Sequence, residues 1–185
     1  MKTNNKTFNL VLTAMFIALT AVAILFIRVP IPFTQGYVHL GDAVIFLGIL
    51  VLGWKYGSVA AALGGMLGDL IGGFPVWAPW SFGIKGVMAL IIGLIIYAYA
   101  NKKEVSGDGL MKIEIVAMIV AGVFETIAYF AAEGIMYGNW AVALTGVPWN
   151  VGQFVVGMVV ATIICKALIR TPARKYFAYV AKAAA

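Results

Sequence analysis

The sequence predicts an all-α integral membrane protein, a six-helix bundle with both termini cytoplasmic. Three observations carry this. Hydrophobic residues make up 63% of the 185 positions and charged residues only 11%, with a mean hydropathy of +1.01. A soluble domain carries roughly a quarter charged residues. The apolar residues fall into six runs, over 8–27, 41–53, 57–73, 80–100, 113–137 and 149–169. The basic residues gather at alternate ends of those runs.

A spanning helix needs about 20 mostly apolar residues. The first run meets that length. Lys2 and Lys6 before it and Ala21-Val-Ala23 within it imitate a secretory signal, but the run exceeds a typical signal core and is read as a retained span. The second run is short, and the third is interrupted by glycines. Segments 74–79, 101–112 and 138–148 are expected turns, holding Pro75, Pro79, Ser106-Gly107-Asp108-Gly109 and Pro148. No linker and no repeat divides the chain, so residues 1–185 are expected to form one domain.

Orientation follows from Lys and Arg. Cytoplasmic termini place Lys2, Lys6, Lys55, Lys102, Lys103, Lys112, Lys166, Arg170, Arg174, Lys175 and Lys182 inside, 11 of the 13 basic residues. Arg28 alone falls in an outer loop, and Lys85 lies within a span. The net charge of +6 is therefore topology rather than a nucleic-acid face.

Ionisable residues within spans are costly and mark function. With this topology Asp42, Asp69, Lys85, Glu125, Glu133, Asn150 and Gln153 all fall at mid-membrane or in its outer half. Glu125, Tyr129 and Glu133 recur every four residues and share one helix face. Asn150, Gln153 and Gly157 share another. Polar faces gathered at one end over an apolar floor describe a binding cup rather than a through-pore. The plainer alternative is a structural Asp69–Lys85 pair with Glu125 hydrogen-bonded inside the bundle.

Trp77, Trp80, Tyr137, Trp140 and Trp149 cluster at the outer ends. They could form an interfacial belt, or supply flat walls for a small aromatic ring. The loop 28–40 is too long for a minimal turn and could fold over the cup as a lid, bringing Tyr37 and His39 beside Asp42. His39 could equally be an interfacial histidine with no ligand role.

Small residues form stripes that let helices approach closely. Ala14 and Ala18 mark one on the first span, with Ala21 one turn on. Ala60, Gly64, Gly68 and Gly72, and in parallel Ala61, Gly65, Asp69 and Gly73, give the third span two small faces. That helix is expected to pack inside its own bundle, leaving the first span's stripe for an external partner.

Lone Cys165 and lone His39 supply no metal site, and no cofactor is expected. No phosphate-cradling loop, zinc-protease motif or nucleophile elbow is present.

The stretches Tyr37-Val-His-Leu-Gly-Asp42-Ala, Gly53-Trp-Lys-Tyr-Gly57, Gly64-Gly-Met-Leu-Gly-Asp69-Leu-Ile-Gly-Gly, Phe74-Pro-Val-Trp-Ala-Pro-Trp80 and Ile84-Lys85-Gly86 resemble the S components of energy-coupling factor (ECF) transporters, over nearly the whole chain. Within that group the chain looks most like the hydroxymethylpyrimidine or pyridoxine type. The resemblance implies a multi-pass protein of a prokaryotic plasma membrane, with an outward vitamin pocket covered by the loop after span one. It implies docking through Ala14 and Ala18 onto a membrane coupling subunit driven by two cytoplasmic ATPases, ATP being used by those partners only. Asp42, Lys85, Glu125, Glu133, Asn150 and Gln153 would hydrogen-bond the ligand, Trp77, Trp80, Tyr129 and Trp149 would pack its ring, and Tyr37 and His39 would reach it from the loop. Riboflavin, pantothenate and folate remain as other ligands, folate ranking lower because Lys85 and Arg28 are few counter-charges. Two other classes stay open: a membrane enzyme using Glu125 and Glu133 as an acid/base pair, and a purely structural subunit.

Overall fold

A computed structural model describes residues 6–33, 36–101 and 107–179, with the main chain alone over 107–110. Lys2, Lys102, Lys103, Ser106 and Lys182 of the charge and turn assignments lie outside the described residues, as does the Asp108 side chain. Lipid cannot satisfy backbone N–H and C=O groups, so apolar runs of this length become helices. The order is α1 (Lys6–Phe26), β1 (Arg28–Pro30), β2 (Tyr37–His39), α2 (Gly41–Gly72), α3 (Ala78–Ala100), α4 (Gly107–Tyr137), α5 (Trp140–Ile169) and a 3-10 turn (Pro172–Tyr176). Five of these helices are long and apolar enough to cross a membrane.

The second and third apolar runs share the helical stretch α2, which is broken at Gly53 (φ 73°, ψ 177°). Only glycine takes that backbone conformation without strain. A Cβ on Gly57 would meet the Cα of Ile49 at 3.0 Å. Eight residues of straight helix would separate them by about 12 Å. Gly41 and Gly68 likewise both abut Ile24. The chain therefore doubles back at Gly53, and Trp54, Lys55 and Tyr56, expected between the two runs, are already helical.

Two expected turns are shorter than their composition suggests. The 138–148 segment turns only at Gly138 (φ 62°) and Asn139. Asn139 caps α5, its side chain accepting from the N–H groups of Ala141 (3.0 Å) and Val142 (3.2 Å). Pro148 therefore lies inside a helix. Neighbouring side chains make such prolines tolerable in membrane helices, and Asn150 Nδ2 donates to the Gly146 carbonyl in that turn at 3.2 Å. The 101–112 segment is helical from Gly107. At 74–79, Pro79 stands in the first turn of α3, where its missing N–H costs nothing.

The fold is helical apart from one feature the all-α reading lacked. Loop 28–40 contains a two-stranded antiparallel hairpin pairing Arg28 with His39, Val29 with Val38 and Pro30 with Tyr37.

Both small faces of α2 are used inside the bundle. Gly64 and Gly68 accommodate Thr20 and Ile24 of α1, while Gly65 accommodates Lys85 of α3. Lipid is as apolar as leucine, so this close approach, rather than exclusion from water, favours association. Ala14 and Ala18 point away from the bundle, whereas Ala21 is buried. The main core holds Phe46, Ile49, Leu50, Met88, Ile92, Ile96 and Met118. The end of the chain joins it: Phe177 and Tyr179 are buried, the Ala178 N–H donates to the Leu50 carbonyl (3.0 Å), and the Tyr179 hydroxyl donates to the Gly93 carbonyl (3.0 Å).

Candidate functional site

The candidate polar residues of the spans assemble at one end of the bundle in two layers, while the buried Glu114 of α4 lies toward the other end. The deeper layer is a buried ion cluster. Lys85 Nζ of α3 donates to Asp42 Oδ1 of α2 at 2.5 Å and to Glu125 Oε1 of α4. All three side chains are fully buried. Gln153 of α5 closes the cluster, its Nε2 donating to Asp42 Oδ2 and to Glu125 Oε1, each at 2.9 Å. Four helical segments are thus tied through one ammonium and one amide. The Asp69–Lys85 pair of the plainer alternative does not form. Lys85 turns to Asp42 and Glu125, and Asp69 takes the Tyr37 hydroxyl instead (2.5 Å).

Above this cluster lies a small cavity of about 30 Å³, lined by Ile31, Gly36, Tyr37, His39, Asp69, Trp77, Ser81, Tyr129, Glu133, Asn150 and Gln153. It has room for about two water molecules. Trp77 and Tyr129 form an aromatic wall, with ring centroids 6.0 Å apart. The Ser81 and Tyr129 hydroxyls bond each other at 3.0 Å. The β-hairpin covers the cavity and is latched at two points: the Tyr37 hydroxyl on Asp69, and the His39 N–H on Gln153 Oε1 (2.8 Å). Gln153 therefore joins the cover to the ion cluster.

The hairpin's titrating groups are shaped by this setting. Desolvation, then the charge of Lys85, pushes the half-buried His39 imidazole down to about 3, against the opposing pull of Asp42. Its neutral Nδ1 accepts the Gly41 N–H at 3.1 Å. Desolvation, then the Asp69 charge, raises the Tyr37 phenol, so it remains a donor.

Of the candidate residues, Tyr37, His39, Trp77, Tyr129, Glu133, Asn150 and Gln153 line the cavity. Asp42, Lys85 and Glu125 lie in the cluster beneath it rather than on its wall. Trp80 packs behind Trp77 and Tyr129 without reaching the cavity, and Trp149 is 37% exposed away from it. Glu125 and Glu133 share a face, but only Glu133 meets the cavity, so they do not form an acid/base pair across it. Asp69, Ser81, Ile31 and Gly36 were not among the candidate binding residues. Two had a signal: Asp69 sits in the small row that packs on α3, and Ser81 lies one turn before Lys85 on the same face. Ile31 had none, because only the hairpin turns it inward.

These features define a multi-pass membrane protein with a covered polar cavity at one end, the build of a transporter component rather than of a soluble receptor. Residues 4–170 match the family described as ECF-type riboflavin transporter, S component, and the chain belongs to that family. The family is one of transporter components, not of enzymes. The chain is 27% identical over 169 residues to the thiamine precursor transporter HmpT of Lactococcus lactis subsp. cremoris (strain MG1363), covering 91% of this chain and 92% of that protein. It is also 28% identical over 117 residues to an uncharacterized protein of Pyrococcus woesei, covering 63% of this chain and 72% of that one. In three dimensions it is similar to the solved S component of a bacterial ECF transporter, with a TM-score of 0.67 and 22% identity over 90% of this chain and 98% of that one. The last likeness is one of fold. Together they make the chain a multi-pass plasma-membrane protein of vitamin-type transport.

Proposed function

We propose that this chain captures a small heteroaromatic vitamin or precursor from outside the cell, hydroxymethylpyrimidine or pyridoxine being favoured. It delivers the ligand inward with a membrane coupling subunit and two cytoplasmic ATPases that use ATP, and needs no cofactor of its own. The observation that carries this is the covered cavity with an aromatic wall and polar lining at one end of the bundle. Similarity to HmpT over nearly the full length supports the pyrimidine among the vitamins.

Each arm of α2 is taken to cross the membrane, making six crossings with both termini cytoplasmic. Lys6, Lys55, Lys112, Lys166, Arg170, Arg174 and Lys175 then lie at the end opposite the cavity, as the excess of inner positive charge requires. The outward Ala14 and Ala18 are the docking stripe for the coupling subunit. A cavity of about 30 Å³ is too small for a six-membered ring, so capture opens the Tyr37 and His39 latches.

The runner-up is another vitamin, riboflavin being the one in the family's description. Pantothenate and folate rank lower because both bring carboxylates. The test is native mass spectrometry of the purified chain with hydroxymethylpyrimidine, pyridoxine, riboflavin and pantothenate. One-to-one binding of either favoured compound supports the reading; a folded sample that binds none of the four refutes it.

A further inference from the structure

Among the described residues, the hydrogen bonds already made around the cavity leave two buried carboxylate oxygens over. The Tyr37 hydroxyl is spent on Asp69 Oδ1, and the Ser81 and Tyr129 hydroxyls bond each other. Gln153 accepts from His39 and donates to Asp42 and Glu125, and Asn150 Nδ2 donates to Gly146. Two lining side chains keep a buried polar atom with no partner: Asp69 Oδ2 and Glu133 Oε2. Asp69 is 3% exposed and Glu133 2%. They stand on different helices, α2 and α4, and both are acceptors.

Among the described residues, no lysine or arginine lines the cavity. Lys85 is committed to Asp42 and Glu125 beneath. Arg28 donates to the Gly72 carbonyl and covers the Tyr37 and Phe74 rings. A buried acceptor without a donor is costly, and an occupant that supplies donors relieves that cost. An occupant bearing a carboxylate meets two more carboxylates and no counter-charge.

We propose that Asp69 and Glu133 are the specificity-determining residues of this cavity, accepting hydrogen bonds from amino or hydroxyl donors of the ligand and rejecting anionic ligands. This rests on the reading of the cavity as a vitamin site and specifies its selectivity. Sites built to bond a donor reject the analogue that lacks it more strongly than apolar pockets reject a change of shape.

The experiment uses matched pairs on the full chain in detergent, read by isothermal titration. One pair is 4-amino-5-hydroxymethyl-2-methylpyrimidine and its 4-oxo analogue; the other is pyridoxine and 4-pyridoxate. The member with the 4-amino or 4-hydroxymethyl donor is expected to bind at least about 10-fold more tightly in the wild type. Glu133→Gln and Asp69→Asn each place an amide donor in the cavity and are expected to shrink that ratio several-fold. Glu133→Gln is the cleaner variant, because Asp69 also holds the hairpin. A ratio unchanged in both variants overturns the proposal, as does binding of only the carboxylate-bearing pantothenate, while a transport role survives either result. A folded wild type that binds none of these compounds removes the vitamin-site reading itself, and the selectivity with it.

Discussion

Replacing Lys85 by Met is the sharpest perturbation of this fold. Methionine keeps an unbranched stem but leaves Asp42 and Glu125 facing each other, both fully buried, with only the Gln153 amide between them. Removing one partner of a buried ion pair costs about 3–5 kcal/mol, because the remaining charge is neither solvated nor paired. Here two carboxylates are stranded, so the upper part of that range applies. At about 2–4 °C per kcal/mol for a chain of this size, the expected fall in melting temperature is on the order of 10–20 °C. Thermal unfolding in detergent, followed by tryptophan fluorescence, measures it. Adding Asp42→Asn and Glu125→Gln to Lys85→Met removes both stranded carboxyl groups and should restore most of the loss. A single variant that melts within about 3 °C of wild type, or a triple variant no more stable than the single, would show that the cluster is not what ties α2, α3 and α4 together.

Gly68→Val should destabilise by about 1–3 kcal/mol through overpacking, since its Cβ would sit 2.7 Å from Cδ1 of the fully enclosed Ile24; Gly152→Ala, with nothing within 4 Å of the new methyl, should stay within about 0.5 kcal/mol, and equal melts would discard the close-packing argument. Leucine at both Ala14 and Ala18 should abolish uptake by cells yet leave ligand binding by the purified chain unchanged, because both positions face away from the bundle; weakened binding would point to a folding role instead. His39 should make the hairpin acid-labile. Its folded-state value of about 3 lies below the ordinary 6.5, so the unfolded chain binds the extra proton and stability falls as pH drops from about 6.5 toward 3. His39→Asn should flatten that stretch of the stability–pH curve, and an unaltered slope would exonerate the imidazole.

Composition and periodicity were sufficient for the membrane class, for the residues that collect at one end, and for the two small faces of α2. They worked because lipid imposes length and apolarity on each span separately, and because a helix face repeats every three to four residues. Boundaries read from composition were less secure. The 138–148 segment looked like a turn on the strength of Pro148, yet the Asn139 cap starts the helix well before it. The break between the second and third runs was legible at Gly53, but not that Trp54, Lys55 and Tyr56 after it are already helical.

What tertiary structure alone decided was partnership. On the sequence Asp69 was the partner offered to Lys85, with Glu125 hydrogen-bonded elsewhere in the bundle. The rotation of α2 and α4 about their axes gives the ammonium to Asp42 and Glu125 and leaves Asp69 to Tyr37. The rotations of α4 and α5 likewise put Glu133 on the cavity wall and Trp149 off it. A one-dimensional pattern records which residues share a face of their own helix. Which face meets which neighbour is settled by the packing of all the helices at once, and so by contacts such as His39 to Gln153, separated by 114 positions along the chain.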